Sequence, residues 1–231
     1  PFVLREWRPN EVIRTDKYPT YWDADRVQIN HLVYHAYDNG DTEERAFRAG
    51  QLHRSTRVSM TKLPGYREQP DTPLIEIDAL ICRFININSE RPPFDDVRVR
   101  RAFALALDRA AIAKHIFLDT ASPAYRIVPT GMPSYPLDTD VVENIATARQ
   151  LLTDAGYPRG EGFPPVELST EAGSAGNITE ALQARWLEVL GVRIDIIASE
   201  SRVHWSNLNQ KDYAIAIGGW VADYPDATSY L

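Results

Sequence analysis

The sequence contains one cysteine among its 231 residues, so no disulfide can form within the chain. Cys82 lies in an apolar stretch, and we expect it to be a small buried core residue. The sequence also lacks any apolar run of about 18 residues, the length needed to cross a bilayer. With 44% hydrophobic and 25% charged residues, the chain has enough apolar material to build a sizeable core in water.

Basic residues are scarce relative to acidic ones. Lys and Arg number 25 against 32 Asp and Glu, which gives a net charge of −7. A nucleic acid is therefore not expected as a partner, because binding its phosphates requires a basic surface. The glycine-rich loops that hold nucleotide phosphates and the serine turn of many hydrolases are missing as well.

Several acids could be proposed as the general acid and base of a hydrolase, namely Asp95, Asp96, Asp223 and Asp226. Each lies where a helix cap or a turn accounts for it, so we do not expect an enzyme. His31 and His35 alternate on one face of a predicted strand, but no third ligand follows at the spacing of a metal site. The sequence therefore predicts neither a metal site nor a cofactor.

Strand patterns dominate the first part of the chain. Residues 1–7 and 12–15 predict a hairpin around a turn at residues 8–10. Alternating apolar and polar residues over 27–35 predict a half-buried strand. Residues 41–50, with an acidic first turn and a terminal glycine, predict a helix.

Helices and strands alternate in the second part of the chain. An extended run over residues 74–87 is followed by prolines, and Asp95 or Asp96 can cap a single long helix whose apolar stripe runs from Val99 to Phe117. Further elements are predicted as helices and strands in turn, at residues 145–155, 166–170, 178–190 and 192–197. Trp186 lies on the apolar stripe of the helix at residues 178–190 and is predicted to be a core residue. The alternation indicates an α/β layer arrangement.

The last twenty residues point to a ligand site. Residues 211–217 predict a buried strand that runs through Gly218, Gly219 and Trp220 into an acidic loop. Asp223 would then lie near the carboxyl end of a strand, where open α/β sheets usually bind small ligands. An unpaired carboxylate at that position favours a cationic group of a ligand.

Three strings carry a family resemblance. Residues 92–109 read Pro-Pro-Phe-Asp-Asp-Val-Arg-Val-Arg followed by Ala-x-x-x-Ala-x-Asp-Arg, residues 155–164 read Ala-Gly-Tyr-Pro-Arg-Gly-Glu-Gly-Phe-Pro, and residues 211–226 contain the Gly-Gly-Trp segment. Together they resemble the extracytoplasmic solute-binding protein family 5, the oligopeptide- and dipeptide-binding components of ABC transporters. Tyr18-Pro19-Thr20-Tyr21-Trp22 is similar to another stretch of that family.

The resemblance implies an α/β fold of the periplasmic-binding-protein type II kind, with two lobes. This chain would be a fragment of that fold, with a mixed sheet flanked by helices. Residues 1–85 are expected to form the C-terminal part of the first lobe, and residues 86–231 the second lobe, truncated at its C-terminus. The chain begins at Pro1 without a secretory leader, so we expect a piece of a longer protein.

The resemblance also implies a function. The chain would belong to a receptor that captures short peptides between two lobes and delivers them to the membrane permease of an ABC importer. Asp223 would bind the peptide ammonium, and the residues around Trp220 and Val221 would offer main-chain groups, with Gly218 and Gly219 keeping the approach clear. Such a receptor is expected to be a monomer without a cofactor, either periplasmic or a cell-surface lipoprotein.

Two departures from the family pattern leave alternatives open. Ile217 stands where oligopeptide receptors carry an arginine for the ligand carboxylate, and Ser201 stands where many members carry a tryptophan. The same class of receptor could therefore take a nickel complex, haem or an oligosaccharide. An interaction domain with no role in transport is a further alternative.

Overall fold

The computed structural model describes residues 1–56, 58–77, 79–129, 132, 135, 142–173 and 176–231. The chain divides into two compact units, Pro1–Glu76 and Ile77–Leu231. Each unit contains its own sheet and is described by itself.

A three-stranded antiparallel sheet forms the first unit. Its strands are β1 (Phe2–Arg8), β2 (Val12–Lys17) and β3 (His31–His35), in that spatial order. The turn between β1 and β2 contains Asn10 at a φ of 61°, a left-handed conformation that asparagine tolerates well. The predicted hairpin is confirmed, whereas the third strand is shorter than the predicted run of residues 27–35.

Two helices accompany this sheet, α1 (Gly40–Arg48) and α2 (Leu63–Arg67). The buried Glu44 on α1 accepts hydrogen bonds from Lys62 Nζ at 2.8 Å and from Tyr66 Oη at 2.9 Å. The hydrogen bond from Lys62 holds the pKa of Glu44 below its usual value despite burial. This pairing ties the two helices together and compensates for burying a carboxylate.

A four-stranded mixed sheet lies at the centre of the second unit. Its strands are β4 (Ile81–Ile87), β5 (Val166–Glu171), β6 (Ile194–Ser199) and β7 (Ile215–Val221), in the spatial order β4-β7-β5-β6. Strand β5 is parallel to both neighbours, and β4 runs antiparallel to β7.

The division between the units differs from the predicted one. The boundary predicted after residue 85 would cut β4 in two. Strand β4 pairs with β7 along its whole length, from Ile81 opposite Val221 to Ile87 opposite Ile215, so it lies entirely in the second unit. The pairing joins residues far apart in the chain, which is why the local pattern gave no sign of it.

In the described part of the second unit there are five α-helices: α3 (Val97–Leu105), α4 (Arg109–His115), α5 (Ile145–Asp154), α6 (Gly176–Leu190) and α7 (Ser201–Asn209). The prediction of one long helix over residues 99–117 was wrong, because the chain forms α3 and α4 there. Asp108 caps α4 by accepting a hydrogen bond from the Ala111 N–H at 2.9 Å, which starts a new helix within the apolar stripe. Asp96 caps α3 as predicted.

Helices α3, α5 and α6 pack with one face of the sheet to form the main core. Trp186 on α6 is 1% exposed, and its indole Nε1 donates to the Phe103 carbonyl of α3 at 3.1 Å. The same core contains large residues from every layer, among them Phe94, Leu152, Leu168, Leu182, Ile194 and Ile215. The prediction of Trp186 as a core residue is confirmed, and so is that of Cys82, which is 5% exposed.

Replacing the buried indole tests this description of the core. Trp186→Phe removes the donor to the Phe103 carbonyl and leaves a small void, so we expect the free energy of unfolding to fall by about 1–3 kcal/mol. Trp205→Phe on α7 is the matched control, because Trp205 is 44% exposed, and it should change the free energy of unfolding by about 0.5 kcal/mol or less. Urea denaturation followed by circular dichroism measures both, and equal losses would contradict the assignment.

Candidate functional site

The carboxyl ends of the parallel strands β5, β6 and β7 lie at the same end of the second sheet. Open α/β sheets usually bind ligands at the carboxyl ends of their strands. Strand β7 runs on to Val221, so Gly218, Gly219 and Trp220 are strand residues, and Asp223 follows directly after the strand. The structure thus places all five predicted site residues in one short segment at the end of β7.

The Asp223 carboxylate is exposed. Among the described residues, no cation pairs with this carboxylate and no side chain or amide donates a hydrogen bond to it. Asp226 differs, because its carboxylate accepts from the Thr228 N–H at 2.9 Å and from Thr228 Oγ1 at 2.7 Å and so caps a short 3₁₀ helix, Ala227–Ser229. These bonds hold the pKa of Asp226 below its usual value. Of the two acids, only Asp223 accepts no hydrogen bond from the described residues.

The main chain of β7 alternates between its two edges. The Ala214 carbonyl accepts from Asn88 N–H at 2.9 Å, and Ala222 N–H donates to the Leu80 carbonyl at 2.8 Å, so the even-numbered residues direct their amide groups toward β4. Successive residues of a strand direct these groups to opposite edges. The N–H and C=O groups of Gly219 and Val221 therefore face the edge away from β4.

That second edge is paired over only part of its length. Strand β5 pairs with β7 through Leu168 opposite Ile215 and Ser169 opposite Ala216, and no described strand continues the ladder beyond that point. The next outward carbonyl, that of Ile217, accepts a hydrogen bond from the imidazole Nε2 of His204 at 3.0 Å. The open part of the edge is therefore the main chain of Gly219 and Val221.

His204 was not predicted to belong near the site. It lies on α7, a helix that the sequence analysis missed, and is 2% exposed. Its Nδ1 lies 3.3 Å from the Ser169 hydroxyl, so the ring bridges β5 and β7 where their pairing stops. The Glu200 cap, which accepts from the Arg202 N–H at 3.3 Å, was a usable signal for the helix. The contacts of His204 are tertiary, and no local pattern reveals them.

The two glycines of the segment have different surroundings. A Cβ on Gly218 would overlap the Asn86 side-chain amide and lie 3.0 Å from the Phe84 ring, so the chain's own packing requires glycine there. A Cβ on Gly219 would meet the Cys82 carbonyl at 3.4 Å, an ordinary contact. Only Gly219 lies on the open edge.

Ser229 connects the strand to the loop that follows it. Its hydroxyl oxygen accepts a hydrogen bond from the Asp223 N–H at 3.0 Å and lies 3.5 Å from the Trp220 indole nitrogen, which can donate to it. Ser229 is 9% exposed, whereas Trp220 and Val221 are 47% and 62% exposed. Sequence reasoning missed this residue, because nothing in its immediate neighbours marks it as a partner of the strand.

The remaining candidates lie elsewhere. Asp96 caps α3 and pairs with Arg98 Nη2 at 2.6 Å, and the hydrogen bonds from Arg98 lower its pKa. Asp95 accepts from the Asp96 N–H at 3.1 Å, and His31 Nδ1 lies 2.8 Å from Asp16. Within the described part of the chain, no group of three or more His, Cys, Asp or Glu residues could hold a metal ion. None of the helices described there is long and apolar enough to cross a membrane.

Comparison with known proteins identifies the class. The whole chain matches the model of one protein family. It belongs to the family of bacterial extracellular solute-binding proteins, family 5, whose middle-region model matches residues 1–231. The predicted family is therefore confirmed.

Individual relatives share the whole length of the chain. It is 30% identical over 236 residues to the probable deoxycholate-binding periplasmic protein YgiS of Escherichia coli and 27% identical over 243 residues to the oligopeptide-binding protein OppA of Bacillus subtilis. Each alignment covers 100% of this chain and 44% of the relative. The chain thus spans less than half the length of these relatives.

Solved structures confirm the fold class. The structure of Burkholderia pseudomallei OppA superposes with a TM-score of 0.82 at 26% identity and covers 100% of this chain and 47% of that protein. The chain thus has a mixed α/β fold that matches part of a two-lobed periplasmic binding protein, as predicted from the sequence.

Substituting each glycine separately distinguishes packing from the open edge. Gly218→Ala forces its methyl group into Asn86 and Phe84, so we expect the free energy of unfolding to fall by about 1–3 kcal/mol. Gly219→Ala should cost less than about 1 kcal/mol, because its methyl group makes ordinary contacts. Thermal denaturation of the two variants measures the difference, and an equal or reversed order would show that the β4–β7 packing is described incorrectly.

Proposed function

We propose that this chain is the ligand-binding part of a receptor that captures short peptides and delivers them to the membrane permease of an ABC importer. The observation that supports this most directly is the open edge of Gly219 and Val221, followed along the chain by the carboxylate of Asp223, which has no partner among the described residues. An extended peptide carries the complementary groups, because it has a main chain and one ammonium end.

Main-chain pairing would supply affinity without reading the peptide sequence. A peptide added along β7 can exchange hydrogen bonds with Gly219 and Val221, in the manner of an extra strand. Its side chains would alternate between the two sides of the strand, so no single side chain has to fit. The small surface of Gly219 lets the peptide backbone approach closely.

Asp223 would bind the ammonium group. Closing a site around an ammonium removes its water, and a carboxylate within reach compensates through a charge-assisted hydrogen bond. Asp223 has no competing partner among the described residues, so it would not have to break an existing ion pair to do this. Ile217 cannot hold the other end of a peptide, and the carboxylate of a ligand would therefore be bound by water or by residues elsewhere in the full-length protein.

The rest of the proposal follows the family. Pro1–Glu76 would contribute to the first lobe and Ile77–Leu231 to the second, and the two lobes would close around the ligand by a hinge motion. The receptor would act as a monomer outside the cytoplasmic membrane, in the periplasm or as a cell-surface lipoprotein. It would bind its ligand without chemical change, and so without a cofactor or a nucleic acid partner.

A non-peptide ligand is the second candidate. The relative with 30% identity is described as a probable deoxycholate-binding protein, and deoxycholate is an anion without an ammonium group. An exposed Asp223 would repel such an anion at close range. Nickel complexes, haem and oligosaccharides are further ligands of this kind that the same class of receptor could take.

Replacing the free carboxylate tests the peptide hypothesis. In the protein expressed at the full length of its relatives, Asp223→Asn should weaken binding of tetra-alanine by about 10- to 100-fold, because a charge-assisted hydrogen bond is lost. Binding of N-acetyl-tetra-alanine, which has no ammonium, should change by less than about threefold. Isothermal titration calorimetry measures both dissociation constants.

Asp226→Asn is the matched control, because asparagine also caps helices and should leave both dissociation constants within about twofold of the wild-type values. Equal losses for the two peptides with Asp223→Asn would rule out the ammonium role. If the wild-type protein binds neither peptide, and native mass spectrometry finds a co-purifying steroid acid, metal complex, haem or sugar, the non-peptide alternative is correct.

A further inference from the structure

We propose that Ser229 is a positioning residue that fixes the Asp223 carboxylate and the Trp220 indole for ligand binding. This inference rests on the function proposed above, because it assigns a role within the same site. Ser229 would not contact the ligand itself. It would act by holding Asp223 and Trp220, which would contact the ligand.

The chemistry of the hydroxyl suits this role. A serine oxygen has two lone pairs, so it can accept from the Asp223 N–H at 3.0 Å and from the Trp220 indole N–H at 3.5 Å at the same time. Both donors belong to exposed residues, whereas Ser229 is only 9% exposed. Because the oxygen is buried, water cannot easily replace it as the acceptor.

Ser229 is itself held firmly in place. It ends the 3₁₀ helix Ala227–Ser229 that Asp226 caps, and its own N–H donates to the Asp226 carbonyl at 3.1 Å. Ala227 and Tyr230 are each 8% exposed and pack in a second cluster with Cys82 of β4. The Ser229 hydroxyl is therefore fixed by the packing of Ala227 and Tyr230 around it, and not by the exposed loop at residues 222–226.

The loop has few other attachments. Ala222 N–H donates to the Leu80 carbonyl at 2.8 Å and continues the β4 ladder by one residue past the end of β7. Residues 223–226 are all exposed. Further along the loop, Tyr224 Oη lies 3.3 Å from Thr228 Oγ1. The bond from Asp223 N–H to Ser229 is the first contact after Ala222, so it helps to set where the Asp223 main chain leaves the strand, and with it the direction of the carboxylate.

Trp220 adds a second group to the same anchor. Its indole is nearly half exposed and lies on the strand between Gly219 and Val221, the two residues with open main-chain groups. A hydrogen bond from the indole nitrogen to Ser229 restricts the orientation of the Trp220 ring. A ligand that reaches both Asp223 and the open edge would then contact an indole that is already ordered, which reduces the entropy cost of binding.

The test uses three variants of the full-length protein. Ser229→Ala removes the acceptor and Ser229→Thr keeps a hydroxyl. Thr228→Ser is the control, because it changes the neighbouring side chain but keeps the hydroxyl that donates to Asp226. We expect Ser229→Ala to raise the dissociation constant of tetra-alanine by about five- to tenfold and that of N-acetyl-tetra-alanine by about twofold or less. Ser229→Thr should restore most of the difference, and Thr228→Ser should change neither dissociation constant by more than about twofold.

A second measurement needs no ligand. Hydrogen exchange followed by mass spectrometry should show that the Asp223 amide loses protection in Ser229→Ala and keeps it in Thr228→Ser. Calorimetric stoichiometry separates misfolding from weakened binding, because an unfolded fraction lowers the number of sites without changing the ratio of the two dissociation constants.

The outcomes separate the two proposals. If Asp223→Asn discriminates between the peptides and Ser229→Ala weakens both equally, the positioning role is wrong and the peptide hypothesis stands. Unchanged exchange at the Asp223 amide in Ser229→Ala also overturns the positioning role. If Asp223→Asn fails to discriminate, the ammonium role is wrong, and the positioning role for that carboxylate falls with it.

Discussion

Strand β7 is paired along its whole length on one edge and along only its first residues on the other. Strand β4 follows it to Val221, but β5 leaves it after Ala216. The difference leaves the main chain of Gly219 and Val221 open while the strand itself stays rigid. A strand that is already ordered by β4 can bind an extended chain along its open edge without a further loss of its own conformational entropy. The candidate site depends on this unequal pairing.

Where the pairing of β5 with β7 stops, a side chain supplies the next hydrogen bond to β7. His204 donates to the Ile217 carbonyl at the point where the next strand residue would have done so. Without that donor, a buried carbonyl would lack a partner, which costs free energy. The helix that carries His204 therefore does more than cover the sheet, because it sets the residue at which the open edge begins.

Acidic residues are plentiful in this chain, and most have structural roles. Asp96, Asp108 and Asp226 cap helices, and Glu44 is paired with Lys62 and Tyr66. Such carboxylates are held by donors of the chain itself. Asp223 differs from these four because its side chain is exposed and has no such donor among the described residues. An acid without a structural role at the end of a strand is a better candidate for ligand binding than these capping or paired acids.

The sequence by itself determined the family, the α/β fold class, most of the strands and the position of Asp223, because these follow from local periodicity, caps and short motifs. It did not determine the break between α3 and α4, since the apolar stripe continues through Asp108 and only the cap decides where a new helix begins. The tertiary structure alone placed β4 in the second unit, brought His204 to Ile217 and Ser229 to Asp223, and showed that Gly218 is required by Asn86 and Phe84. Each of these facts rests on atoms that meet across the fold, and the chemistry of neighbouring residues along a chain cannot specify such meetings.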